Sequence, residues 1–330
     1  MPRSSISRRG LTAAALALPA LLARASQAQN SSYPTRPVRL LLGFPAGGST
    51  DIIARLVADK LGARLGQAVV VENRPGAGAM IAAEAVTRSA PDGHTLMFSS
   101  STLIISAVTM RNPPVNIMRD LVPVNNLVEA PMLLIGSRNA PFSTLEEMLA
   151  YARANPGKLN IAVPGAGSSN HLGVELLIRQ ANIDVTVVPY QGNAPQLTAL
   201  VRGDVPMATD SIATSMGFIN DGTVRPLAVT GARRSALLPN VPTVAEAAGL
   251  PEYVTSFWFG ILAPAAMPNP ILDRLQRETA AVMAQPEVLT FIRAQGFEPV
   301  AFGAEQFGQR MTSDLDQLGR IARQAGLIGQ

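Results

Sequence analysis

The sequence predicts an α/β fold in two lobes, each a mixed, mostly parallel sheet flanked by helices. Strand-like and helix-like segments alternate from Val38 onward, the pattern of strands covered by helices. Glycine-rich turns follow several of these strands. The alternation breaks over Arg111–Val124, where Pro113, Pro114 and Pro123 cluster, and then resumes. At 330 residues the chain is long enough for two domains.

In order, Val38–Phe44 reads as a buried strand and Asp51–Leu65 as a helix with one apolar face. The turn between them, Gly43–Asp51, offers Ser49, Thr50 or Asp51 as an N-cap. Its backbone N–H groups lie at the positive end of a helix dipole, a place suited to an anion or to nothing beyond a tight βα turn. Ala68–Val71 is a strand, Asn73–Gly78 a second glycine-rich turn and Met80–Arg88 a helix. Thr95–Phe98 is a strand ending in a turn at Ser99–Thr102, which includes Ser100. Ligands sit beyond the carboxyl ends of strands in such sheets, so these three turns share one rim.

Past the break, Pro131–Ile135 is a strand and Thr144–Asn155 a helix, with Ser143 and Glu146 spaced as a capping box. Leu159–Val163 leads into Pro164–His171, a third glycine-rich turn, and helix 172–181. Val185–Pro189 leads into Tyr190–Asn193 and helix Pro195–Arg202; Val205–Ala208 ends at Thr209-Asp210-Ser211. Leu227–Thr230 is a strand, and Tyr253–Leu262 is an apolar, aromatic stretch holding the only Trp, Trp258. Helices starting near Asn269-Pro270 and Pro286, and a last one over Ala304–Ala325, have no strand partners of their own. They are expected to pack back on the first lobe, making the second lobe (129–254) an insertion between 33–128 and 255–330.

Residues 1–28 read as an export signal. Arg3, Arg8 and Arg9 precede Leu11–Ala23, an apolar stretch too short to span a bilayer, and Ser26-Gln27-Ala28 ends in a small residue as a cleavage site should. Ser7-Arg8-Arg9-Gly10-Leu11 fits a twin-arginine signal or a general secretory one. Without the arginines at 3, 8, 9 and 24, basic and acidic residues balance, and no basic run is present to follow a phosphate backbone. Nucleic acid is therefore not an expected partner.

The sequence lacks the usual catalytic equipment. There is no cysteine, and the two histidines, His94 and His171, are far apart. No metal site is expected, and His94 reads as a surface residue. Dinucleotide and P-loop patterns fail, because position 170 is Asn170 and the lysines, Lys60 and Lys158, follow no such loop; no cofactor is expected. An exported hydrolase using Ser168 or Ser169 with His171 is the enzymatic alternative, but Gly-x-Ser-x-Gly is absent and the spacing suits helix capping. What is present is a set of neutral donors: Gly47, Gly48, Ser168, Ser169, Asn170, Tyr190 and Gln191. One helix N-terminus contributes about 0.3–1 kcal/mol to holding an anion, whereas micromolar affinity needs about 8 kcal/mol. Turns from both lobes must therefore converge in a cleft that closes on its ligand.

Tyr33–Val38, Phe44–Asp51, Glu72–Gly78, Pro164–Leu172, Val188–Gly192, Leu227–Thr230 and Pro242–Ala247, taken as an ordered set, resemble the Bug family, the extracytoplasmic solute receptors of tripartite tricarboxylate transporters. The likeness spans roughly 33–325. It implies a type II periplasmic-binding-protein fold of the Venus flytrap kind, a small carboxylate between the lobes, and membrane permease subunits as partners of a monomeric periplasmic protein. It places the ligand carboxylate on Phe44, Pro45, Ala46, Gly47, Gly48 and Asp51, partly through water. The opposite wall falls on Gly165, Gly167, Ser168, Ser169 and His171, then Tyr190, Gln191 and Gly192, then Asp210. Gln191 stands where relatives usually carry Lys, and Thr209 where an apolar or aromatic residue is common. Residue by residue, Asp51 and Asp210 also fit as helix caps, His171 as a helix-start hydrogen-bonding group and Trp258 as packing between lobes. A sensor subunit presenting ligand to a membrane-bound kinase is a third reading.

Overall fold

The computed structural model describes residues 33–166, 168–190, 192–324 and 326–329. The signal expected over 1–28 lies outside the described residues, as do Gly167 and Gln191. The first elements are β1 (Val38–Leu42), α1 (Ser49–Leu65), β2 (Val69–Asn73), a 3-10 turn (Ala77–Ala79), α2 (Met80–Thr87), β3 (Thr95–Ser100), α3 (Thr102–Thr109), α4 (Ile117–Asp120) and β4 (Leu121–Ser137). Then follow α5 (Leu145–Ala154), β5 (Asn160–Val163), α6 (Ser169–Ala181), β6 (Thr186–Pro189), α7 (Asn193–Arg202), β7 (Met207–Ser211), α8 (Ile212–Asn220), β8 (Val224–Val229) and α9 (Val244–Ala248). The chain ends with β9 (Ser256–Pro264), α10 (Asn269–Met283), α11 (Pro286–Ala294), β10 (Glu298–Phe302) and α12 (Ala304–Gln324).

Two sheets share one long strand. Along the first, β2, β1 and β3 run parallel, and β9 and β4 join antiparallel, with β10 on the far side of β4. In the second, β4 lies between β8 and β7, and β5 and β6 extend the sheet in parallel from β7. Strand β4 pairs with β9 as far as Pro131 and with β7 from Met132 onward, so a single strand passes from one sheet to the other.

The period of two along each strand assigns side chains to the two faces. Leu40 and Leu42 pack with Ile53, Val57 and Leu61 of α1 and Leu275 of α10, whereas Leu41 packs with Met80, Leu103, Trp258 and Phe307 on the opposite face. In the second sheet Leu134 faces Met148 and Leu177, while Leu133 and Ile135 face Leu200 and Ile212. Among the closing helices, α10 packs on α1, and α12 on α3, β4 and α6, its Ile321 and Ala322 joining the core of the second sheet.

Local differences from the sequence expectations have physical causes. Strand β4 begins at Leu121, inside the stretch where prolines argued against regular structure. Pro123 is accommodated because the register with β9 shifts between Pro123 and Asn125, a bulge that needs no N–H from the proline. His94 is buried rather than exposed: its Nε2 accepts from Thr35 N–H at 3.2 Å and its ring stands edge-on to Tyr33. Helix α5 is capped by Thr144, one residue beyond Ser143, with Thr144 Oγ1 accepting from Glu147 N–H. A full capping box occurs instead at Thr243 and Glu246, at the start of α9. Thr243→Ala is expected to destabilise the protein by about 1 kcal/mol in chemical denaturation, and Thr243→Ser to retain most of the stability.

Candidate functional site

The β1–α1 turn is held from below. Gly43 has no Cβ because one would lie 2.3 Å from Ala79 Cβ, where the 3-10 turn crosses the end of β1. Gly47 has φ 87, the left-handed region that favours glycine, and neither Gly47 nor Gly48 has an atom within 4 Å of where a Cβ would point. Pro45, Ala46, Gly47 and Gly48 are exposed and Phe44 is partly buried against the core. Helix α1 starts at Ser49, with Gly48 at the N-cap and no side chain capping it.

Asp51 fixes this turn. It is 4 % exposed, and both carboxylate oxygens are engaged. Oδ2 accepts from Gly47 N–H at 3.0 Å and Arg55 Nε at 2.9 Å; Oδ1 accepts from Arg55 Nη2 and Asn73 Nδ2, each at 2.9 Å. Asn73 Nδ2 also donates to Phe44 O at 3.0 Å, tying the end of β2 to the start of the turn. The Arg55 guanidinium, aided by Gly47 N–H and Asn73, lowers the Asp51 carboxyl to about 2 against the opposing effect of burial. Asp51 thus positions the loop through Gly47. Asn73, read from sequence only as a turn residue, is its partner.

In the second sheet, the β5–α6 turn ends in Ser168, the N-cap of α6, which accepts from His171 N–H at 3.2 Å and donates to Gly165 O at 2.8 Å. The hydroxyl proton therefore goes to a backbone carbonyl. Gly165 is half-buried, Ser169 opens α6, and Asn170 Nδ2 donates to Thr209 Oγ1 at 3.1 Å. His171 is buried, with Nε2 3.7 Å from Glu175 Oε1 one turn along the helix. Next to it, Tyr190 N–H donates to Val163 O and Gly192 N–H to Pro164 O, which lash the β6–α7 turn to the end of β5. Gly192 has φ 107 and open space where a Cβ would be.

Asp210 is fully buried and accepts from Asn193 Nδ2, from Thr214 Oγ1 at 2.8 Å and from Ser215 Oγ at 3.1 Å. Burial pushes its carboxyl above the usual range, although these donors pull the other way. Its role is to join the starts of α7 and α8. Ser100 is also buried, its Oγ accepting from Thr102 N–H, while the neighbouring Ser101 reaches a small cavity shared with Ser169 and Thr255. Nothing in the sequence spacing distinguished Ser101 from Ser100.

Where β4 passes between the sheets beside the start of β9, Arg310 of α12 grips both strands. Its guanidinium bonds Glu129 of β4, Ser256 Oγ of β9 at 3.0 Å and Asp314 at 2.8 Å. Trp258 Nε1 donates to Asp314 Oδ2 at 2.7 Å, and its ring stands edge-on to Phe307. On the second-sheet side Thr230 Oγ1 accepts from Met132 N–H and donates to Thr255 O.

The glycine turns thus sit at the carboxyl ends of parallel strands in both sheets, with backbone donors and few charges. Among the described residues no cluster of His, Cys, Asp or Glu suits a metal ion, and no helix is long and apolar enough to cross a membrane. The family model of the tripartite tricarboxylate transporter family receptor matches residues 53–327. The chain belongs to this family. It is 34 % identical to the protein BugT of Bordetella pertussis strain Tohama I over 89 % of this chain and 91 % of that one. Among solved structures it is similar to R. palustris Rpa4515 with adipate, at a TM-score of 0.75 and 33 % identity, covering 89 % of this chain and 98 % of that one. It is also similar to MatC from Rhodopseudomonas palustris with bound malate, at a TM-score of 0.71 and 31 % identity, covering 88 % and 99 %. This receptor accordingly has the two-lobed fold of periplasmic binding proteins, and its family is one of solute receptors rather than enzymes.

Proposed function

We propose that this chain is a periplasmic receptor that captures a small carboxylate between its lobes and delivers it to the membrane subunits of a tripartite transporter. The observation that carries this reading is the set of turns after β1, β5 and β6, where Gly47, Gly48 and Gly192 have no atom within 4 Å of where a Cβ would point and Gly165 meets only Ser168 Cβ at 3.9 Å. Related receptors solved with adipate and malate support a carboxylate as the ligand class. In this reading 33–128 and 255–330 form one lobe and 129–254 the other. They hinge where β4 and β9 cross, and residues 1–28 direct export of a monomer. Ligand on one lobe alone meets too few donors, so closure supplies the remaining affinity. Asp51 and Asp210 hold the turns in shape, and no group on this rim is assigned catalysis.

A thermal-shift screen of the mature chain, freed of carried-over ligand, against mono-, di- and tricarboxylates tests the reading. A micromolar ligand at millimolar concentration is expected to raise the Tm by about 5 °C. A flat response across the panel would overturn it. Hydrolysis of esters that is lost in Ser168→Ala would replace it with the hydrolase reading.

A further inference from the structure

Between the first turns of α1 and α8 lies a cavity of about 300 Å³ that the sequence motifs did not indicate. Its walls come from both sheets: Ile52 and Phe257 on one side, Ile212 and Ala213 on the other, with Phe297 and the Gly296 turn closing one end. Gly296 has φ 79, and a Cβ there would sit 3.5 Å from Ala213 Cβ, so the two halves of the molecule already touch at this corner. Phe257 and Phe297 meet edge to face, with centroids 5.8 Å apart. Ile52 is 37 % exposed, an apolar side chain offered to this space. Its N–H donates to Gly48 O at 3.0 Å, so the cavity begins one helical turn from the Gly47–Gly48 backbone.

None of the residues lining the cavity is ionisable; of its three polar side chains, Ser211 and Thr214 bond each other and Gln295 is the third. The charged groups that directly flank its lining residues in sequence are Asp51, Glu129, Asp210 and Glu298, all acidic. Arg55 is occupied by Asp51. A second carboxylate placed here would be stripped of water with no cation to meet it, whereas a hydrocarbon would gain from burial. The volume lies at the small end of ligand pockets and suits several carbons or one aromatic ring.

We propose that this cavity receives the hydrocarbon body of a monocarboxylate whose carboxylate is held at the Gly47–Gly48 turn, making Ile52, Ala213 and Phe257 determinants of specificity. The assignment rests on the carboxylate-receptor reading and narrows it to acids with one charged end and an apolar tail. Hexanoate and adipate are the discriminating probes, since they share six carbons and differ in whether the far end is a methyl or a carboxylate.

Isothermal titration of the mature chain is expected to show hexanoate binding at least tenfold more tightly than adipate. Affinity should rise about fourfold per methylene from butyrate to hexanoate. Ile52→Arg, a change at a partly exposed position, is expected to reverse the preference towards adipate. Wild-type protein that binds adipate or malate as tightly as hexanoate would overturn the cavity assignment and leave the carboxylate-receptor reading standing. Binding of no carboxylate in the series would overturn both.

Discussion

Arg310→Ala is expected to destabilise the folded protein by about 3 kcal/mol, because it removes the cation between two mostly buried acids. Glu129 and Asp314 are 20 % and 12 % exposed, and Arg310 itself is 23 % exposed. Burial works against the charge on Arg310, but Asp314 and Glu129 more than offset it and raise its pKa above the ordinary value. With the guanidinium gone, Glu129 keeps Ser256 Oγ and a long bond from Asn126 Nδ2, and Asp314 keeps Trp258 Nε1, poor replacement for a cation between two desolvated carboxylates. Urea or guanidinium unfolding reads the loss. Arg310→Lys should recover only part of it, since an ammonium cannot reach Asp314, Glu129 and Ser256 in one planar fork. A double-mutant cycle with Glu129→Ala should be clearly non-additive; additive effects would show that the strands β4 and β9 are not held together through this contact. Because Arg310 ties β9 to β4 close to where β4 passes between the sheets, the same variant is expected to alter ligand affinity without touching the glycine turns.

Asp51→Asn is expected to cost about 2 kcal/mol of stability and to weaken ligand binding at least tenfold. The carboxylate accepts from Gly47, Arg55 and Asn73; an amide in its place turns one acceptor into a donor facing donors. The Gly47–Gly48 backbone then loses its anchor, while Gly47→Ala strains the same turn through φ 87 and should weaken binding by a different route. The pH dependence has a definite sign. The folded-state value of about 2 lies below the ordinary 3.8, so Asp51 contributes stability that is fully present above about pH 4 and is lost as pH falls through 2. Arg55 is 52 % exposed, so solvent screening reduces the contribution to roughly 1–2 kcal/mol. Stability measured from pH 6 to pH 2 should show that acid loss in wild type and a flatter profile in Asp51→Asn. Superimposable profiles would remove Asp51 from its positioning role.

Much of the site's scaffold was legible because turns and caps are local. The strand–glycine turn–helix sequences at 43–51 and 164–171 place the turn and the helix start within a few residues, and the structure builds Gly47 left-handed in the first and Ser168 as the cap of α6 in the second. Side-chain partners were less legible. Asp51 reads equally as a cap or as a ligand group from its neighbours in sequence, and Asn73, which helps to settle how it is used, is 22 residues away. His94 lies in a turn and so reads as exposed, yet Tyr33 and Thr35 come from some sixty residues earlier to cover it. Ser100 and Ser101 cannot be told apart by spacing. One is used by its own backbone, whereas the other reaches the space between α3 and α6.

The sequence by itself determined the α/β alternation, the glycine turns at the strand ends and the lack of cysteine and of dinucleotide and P-loop motifs, since each depends on residue type and short spacing. Only the tertiary structure decided that β4 is one strand serving two sheets. Pro123 and the prolines before it mask its first half locally, and pairing with β9, more than a hundred residues away in the chain, supplies the hydrogen bonds that make that half a strand. Tertiary structure likewise decided that the acids of the two rims are spent on their own loops, and that Ile52, Ala213 and Phe257 surround one uncharged space. Such a space is made by three elements distant in sequence, each of whose apolar residues has a sufficient local reason to be there.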